Sequence, residues 1–167
     1  MPRLREGGEG VSWLQYHPEP VTLHSGGRSH YVVDADAIFA DEELRAAVIE
    51  AWLRVIAYVA GRANIIAIPR GGLRWAEELQ RQGGMHWRSA ILEEMPNAAL
   101  ARLLRVDVGE GDWLIVVDDV ATTGASLRVV PEPALRLCVV DRSETKDGLA
   151  GIHHWAHIPL PLVKEER

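Results

Sequence analysis

The chain has 167 residues, 47% of them hydrophobic and 25% charged, and carries a net charge of −6. That length supports one domain with a real core rather than two, and the composition is that of a folded chain, not a disordered one. Proteins that rely on non-specific phosphate-backbone contacts are usually basic, so the acidic balance argues against a nucleic-acid partner, while a single cysteine, Cys138, rules out an internal disulfide and suits a reducing, cytoplasmic setting.

In chain order, residues 1–20 read as an N-terminal arm, charged and glycine-rich at first and then punctuated by Pro18 and Pro20. No apolar stretch there suggests a signal peptide, and no segment approaches the about 20 apolar residues that span a bilayer, so a membrane is not expected. The segment from Val21 to Asp34 reads as strand, glycine turn and strand, with Gly26-Gly27 at the turn. Asp41 can cap a helix with Glu42 and Glu43 in its first turn, and Leu44, Ala47, Val48, Ala51, Val55, Tyr58 and Val59 give it an apolar stripe that Gly61 can end. Ile65-Ile66-Ala67-Ile68 is wholly apolar, as expected of a strand covered on both faces. Pro69-Arg70-Gly71-Gly72 breaks it, and Leu73 to Arg81 can form a helix before Gly83-Gly84. Between 85 and 108 the pattern is ambiguous, with a strand near Trp87–Leu92 and a helix near Ala98–Leu104 as the reading. Two more buried-type strands follow, Trp113–Val117 and Leu135–Val140. Strands alternating with helices predict an α/β domain with a mainly parallel, twisted sheet flanked by helices. The whole chain, 1–167, reads as a single domain in which 21–40 and 143–167 supply hood or edge elements.

The chemistry concentrates after the strand at 113–117. Asp118 and Asp119 stand at its carboxyl end, where open α/β sheets bind ligands, and Val120-Ala121-Thr122-Thr123-Gly124-Ala125-Ser126 follows. Gly124 and Ala125 let backbone amides approach a phosphate, Thr122, Thr123 and Ser126 add hydroxyls, and a helix start favours an anion. The two carboxylates can accept hydrogen bonds from ribose hydroxyls, directly or through Mg²⁺ and its waters. Each residue alone would suit an ordinary capped turn; the combination points to a phosphorylated sugar. Neither a Gly-x-x-x-x-Gly-Lys-Ser/Thr nor a Gly-x-Gly-x-x-Gly phosphate cradle occurs.

The stretch Val117–Ser126 resembles the phosphoribosyl-diphosphate signature of the type I phosphoribosyltransferases. Ile65 to Leu73 looks like that family's strand and pyrophosphate loop, with Arg70, Gly71 and Gly72 as pyrophosphate-binding candidates, although Arg70 read alone is equally a solvated residue in a tight turn. Val21–Tyr31 is similar to the segment that helps form the hood over the base in orotate phosphoribosyltransferases, and Val140-Asp141-Arg142 to a strand end where an arginine meets the orotate carboxylate. The resemblance therefore implies the type I phosphoribosyltransferase fold with a small N-terminal hood. It also implies an Mg²⁺-dependent transfer between phosphoribosyl diphosphate and a nucleobase, most similar to orotate, and a homodimer. By the same resemblance Asp118 and Asp119 are the catalytic and metal-side acids. The residues 118–126 with 70–72 hold phosphoribosyl diphosphate, and His24, Ser25, Gly26, Arg28, Thr122 and Arg142 face the base.

Three features depart from that pattern. His24 stands where the orotate branch has a lysine. The basic mobile loop of that branch is missing: between Gly84 and Trp113 the cations are His86, Arg88, Arg102 and Arg105. Pro131 and Pro133 follow Ser126 so closely that the usual longer helix cannot form. Transfer to another base, or a non-catalytic regulatory protein that binds phosphoribosyl diphosphate, remain open alternatives. His153, His154 and His157 suggest a metal, but Pro159 and Pro161 favour an extended tail or edge strand packed around Trp155. Trp52 and Trp75, in helical patterns, read as core or dimer contacts rather than base-stacking platforms, and Cys138 as a small buried thiol.

Overall fold

A computed structural model describes residues 13–23, 26–58, 63–69, 71–83, 113–130 and 134–163. The readings for Gly61, Trp87–Leu92, Ala98–Leu104 and the four cations of 84–112 lie outside these residues, as do His24, Ser25 and Arg70.

Two antiparallel strands, β1 (Leu14–Thr22) and β2 (Arg28–Val33), form the N-terminal hairpin. β1 begins well before Val21, where the pattern placed the first strand. Its register shifts between Tyr16 and Val21, the stretch that holds Pro18 and Pro20, whose missing amide donors a regular ladder cannot use. The hairpin leads into two helices, α1 (Ala35–Ala40) and α2 (Glu42–Ile56). The Asp34 carboxylate accepts from the Ala37 amide at 2.9 Å and caps α1; Asp41 accepts from Glu43 and Leu44 at 3.0 and 3.1 Å and caps α2. The short α1 carried no sequence signal of its own, because its six residues span less than two turns. α2 buries Val48, Ile49 and Trp52. Tyr58, expected on that stripe, lies beyond the helix end and is exposed.

Four strands make the main sheet among the described residues: β3 (Ala63–Ala67), β4 (Trp113–Ala121), β5 (Ala134–Asp141) and β6 (Ile152–His157), in the order β3-β4-β5-β6 and all parallel. α3 (Gly71–Gly83) follows β3, and a single turn, α4 (Ala125–Arg128), follows β4. Strand side chains alternate between faces. Ile65, Ala67, Ile115, Val117, Leu137 and Val139 pack with Trp52 and Trp75 under α2 and α3, whereas Ile66, Val116 and Cys138 pack with Leu127 and Val130 on the α4 side. Burial on both faces explains the unbroken apolar runs. Trp75 meets Phe39 edge-on at 4.9 Å and Trp52 at 5.8 Å, so both tryptophans are core residues. β6 is the edge strand that Pro159 and Pro161 implied. Beyond it the chain runs back to the hairpin: Val163 donates to the Arg28 carbonyl at 2.8 Å, and Ser29 Oγ to that of Pro161 at 3.0 Å.

Candidate active site

The sheet register creates the site. β3 pairs with β4 only as far as Ala67 opposite Val117, while β4 continues beside β5 to Ala121 opposite Asp141. The sequence pattern ended this strand at Val117; the ladder extends it through both acids. Asp118 and Asp119 thus stand past the end of β3 but remain anchored to β5. Strand alternation sends them to opposite faces. Asp118 is buried, 8% exposed, and its Oδ1 accepts from the Asp119 amide at 2.9 Å. Burial pushes its carboxyl well above the usual range, and the charge of Asp119 pushes it further. Asp119 is half-buried, and its Oδ1 accepts from the Val120 amide at 2.7 Å.

On the Asp119 face the chain leaving β3 folds closely against β4. Ile68 donates to the Val117 carbonyl at 2.8 Å and Gly72 to the Ile68 carbonyl at 3.0 Å. A Cβ on Gly71 would overlap the Asp119 carboxylate, and one on Gly72 would overlap the Val117 carbonyl oxygen and come within 3.2 Å of the Asp118 Cα. Glycine at both positions is therefore a packing requirement, and it sets the first turn of α3 directly against Asp119. Asp119 also lines a cleft of about 280 Å³ with Gln15, Val32, Val33, Asp34, Ala35 and Asp36, between the hairpin with α1 and the sheet.

The hydroxylated residues of the loop after β4 are open or half-open to solvent. Thr123, Ala125 and Ser126 are exposed and Thr122 is half-buried. Gly124 is buried in a left-handed conformation, φ +71°, and an added Cβ would lie 2.6 Å from Ile152 Cδ1. Thr123 Oγ1 accepts from the Ala125 amide at 3.3 Å. α4 has only four residues, so the helix-dipole contribution expected from the sequence is small, and what the loop presents is its individual amides and hydroxyls. Two arginines that the motif reading passed over hold the loop. Arg128 donates to the carbonyls of Thr123 and Ala150 at 2.6 and 3.3 Å. Arg136, buried on β5, donates to those of Leu127 and Val130 at 3.0 and 2.8 Å. Arg136 satisfies carbonyls that a longer helix would have used internally. A cation among the apolar residues of β5 was the available signal for Arg136.

Arg142 follows β5 and is 3% exposed. Its amide donates to the Ala121 carbonyl at 2.9 Å and its Nη1 to that of Tyr31 on β2 at 3.3 Å, joining loop and hairpin. Its Nε and Nη2 are buried without a hydrogen-bond partner, and burial lowers the pKa of the guanidinium. Of the other base-facing candidates, Gly26 is exposed in the hairpin turn with φ +83°. Arg28 is exposed, and its Nη2 donates back to the Pro20 carbonyl on β1 at 3.2 Å.

His154 Nδ1 lies 3.7 Å from the buried Asp141 carboxylate, and His157 Nε2 is 3.2 Å from the Ser143 carbonyl. Among the described residues no group of three or more His, Cys, Asp and Glu side chains is arranged to hold a metal, and no helix is long and apolar enough to cross a membrane.

No family model matches the chain. It is 32% identical over 108 residues to the orotate phosphoribosyltransferase of Methanothermobacter thermautotrophicus, a match that takes in 63% of this chain and spans 56% of that relative's length. The crystal structure of orotate phosphoribosyltransferase from Aeropyrum pernix superposes with a TM-score of 0.58 at 24% identity, over 87% of this chain and 88% of that one. The enzyme from Mycobacterium tuberculosis H37Rv, crystallised with 5-phospho-α-D-ribosyl 1-diphosphate, gives a TM-score of 0.51 at 19% identity over 83% and 86%. The resemblance to the type I phosphoribosyltransferases read from the two loops is therefore borne out: the chain has their fold and is similar in sequence to an orotate phosphoribosyltransferase.

Proposed function

We propose that the protein transfers a phosphoribosyl group between phosphoribosyl diphosphate and orotate. The observation that carries this reading is the overhang of β4 beyond β3: it sets Asp119 in a cleft against the glycine turn of α3, with the open Thr122–Ser126 loop next in the chain. In this reading the amides and hydroxyls of Val120 to Ser126 hold the 5-phosphate, Asp118 and Asp119 the ribose hydroxyls, and Arg70, Gly71 and Gly72 the diphosphate. The two unpartnered donors of Arg142 suit a carboxylate on the base, with Thr122, His24, Ser25, Gly26 and Arg28 as the further base-facing candidates. The bond from the anomeric carbon to diphosphate breaks with its electron pair going to the leaving oxygen. A ring nitrogen of the base then gives its pair to that carbon and its proton to solvent. The chain contributes position and fixed charge rather than a covalent intermediate. Carboxylate oxygens fit Mg²⁺; Asp119, which lines the cleft, would stand on the metal side directly or through water, and Asp118, buried on the other face of β4, would reach it only through water. When bound, Mg²⁺ would offset the charge of the diphosphate. The same reading carries a cytoplasmic homodimer.

A second reading, a regulatory protein that binds phosphoribosyl diphosphate without turnover, is favoured by one observation: His86, Arg88, Arg102 and Arg105 are the only cations between Gly84 and Trp113. One experiment separates the two. Phosphoribosyl diphosphate and Mg²⁺ are titrated calorimetrically into the protein and its Asp119→Asn variant, and orotate, uracil and purines are then supplied in turn. The transferase reading expects binding weakened about tenfold or more by the substitution, and loss of orotate absorbance. Binding without consumption of any base selects the regulatory reading, and consumption of a purine but not orotate replaces the base. Equal affinity of the two proteins refutes the placement of the sugar.

A further inference from the structure

A departing diphosphate carries several negative charges, and fixed cations that meet it lower the barrier. Arg74 stands in the first turn of α3, three residues after Gly71 and so on the same helix face. Its guanidinium lies over the Phe39 ring, 5.0 Å from the centroid, and pairs with Asp36. Its Nε is buried with no hydrogen-bond partner. Asp36 lines the same cleft as Asp119, so this pair sits at the rim of the space where the sugar is proposed to lie. The Asp36 side chain is 83% exposed. Such a pair is screened by water and worth little, so exchanging Asp36 for a diphosphate costs the protein little, whereas Phe39 keeps the guanidinium ordered in either pairing.

We propose that Arg74 is a further substrate-contacting residue: in the ligand-free protein it is parked on Asp36, and on binding it turns to the diphosphate and offsets the negative charge that the leaving oxygen gains as its bond to the anomeric carbon breaks. The fork of donors on an arginine suits two oxygens of one phosphate. This inference rests on the transferase reading above.

The test uses the full chain, Mg²⁺, and two probes titrated separately by calorimetry, inorganic diphosphate and ribose 5-phosphate. Arg74→Met is expected to weaken diphosphate binding about tenfold while leaving ribose 5-phosphate unchanged. Asp36→Asn, at an exposed site that does not threaten folding, is expected to tighten diphosphate binding about two- to fivefold by freeing Arg74. Diphosphate affinity unaltered by both changes, or an equal loss of both probes in Arg74→Met, overturns the assignment of Arg74 while the site itself stands. If Arg74→Met does not fold, Asp36→Asn decides alone: unaltered diphosphate affinity overturns the assignment. Failure of the wild-type chain to bind either probe overturns the site reading and this inference together.

Discussion

Asp118 is predicted to lower stability at neutral pH. The residue is 8% exposed and accepts a 2.9 Å hydrogen bond from the Asp119 amide, while burial and the neighbouring Asp119 charge raise its pKa well above the reference value of 3.8. A carboxyl whose pKa is raised by folding binds its proton more tightly in the native state. Its contribution is therefore most favourable at low pH and declines as pH climbs from about 4 through the folded value. Asp118→Asn keeps an oxygen to accept from the Asp119 amide and removes the charge. An incompletely compensated buried polar group costs about 1–3 kcal/mol, so recovery of even about 1 kcal/mol is expected to raise the melting temperature by about 2–4 °C in a chain of this size. The assay is thermal melting of both proteins from pH 4 to 8, paired with calorimetric titration of phosphoribosyl diphosphate. The gap in melting temperature should be small near pH 4 and widen with pH, while ligand affinity falls about tenfold. A variant less stable than wild type at pH 7, or a gap that does not depend on pH, would refute the assignment of a strained buried acid.

Two further outcomes follow from the packing beside it. Gly72→Ala drives a methyl group into the Val117 carbonyl, and overpacking against backbone costs about 1–3 kcal/mol, read as a lower urea midpoint with unchanged slope; an undiminished midpoint would mean that α3 does not sit as closely on β4 as described. Glu78 on α3 accepts from Arg81 at 2.6 and 2.9 Å and from Gln82 at 2.6 Å, with Arg45 of α2 at 3.9 Å, and these partners, chiefly Arg81, lower its pKa from 4.5 to about 2. Its contribution is present above pH 4.5 and is lost as pH falls toward 2. Glu78→Gln should therefore shrink the acid-side loss of stability, and an unchanged acid limb in the melting curve would speak against it.

The orphaned donors of Arg142 and the buried carboxyl of Asp118 are costs that a stability-optimised core would not carry. Asp118 lies just past the end of the ladder between β3 and β4, and Arg142 just past the end of the ladder between β4 and β5. Stability and the proposed chemistry are opposed at these two residues, and the arginines 128 and 136 that clamp the adjoining loop hold a segment too short to hold itself.

Much of this molecule was written in local pattern. Apolar runs bounded by glycine and proline marked β3, β4 and β5, Asp41 marked the start of α2, and Asp118 to Ser126 stood out because acids, hydroxyls and glycine follow a buried strand at fixed spacing. Such signals are legible because they arise from hydrogen bonding and burial within a few residues. Tertiary structure alone decided how far β4 runs, because strand length depends on where the neighbour stops: β3 ends opposite Val117 and β5 continues. That offset, invisible in the string of residues, separated the two acids into a buried one and one facing the cleft. It also fixed what the short α4 needs, since the donors for its free carbonyls come from Arg136 on a different strand. The ion pair of Arg74 with Asp36 joins residues 38 positions apart, and only the packing of α1 against α3 could bring them together.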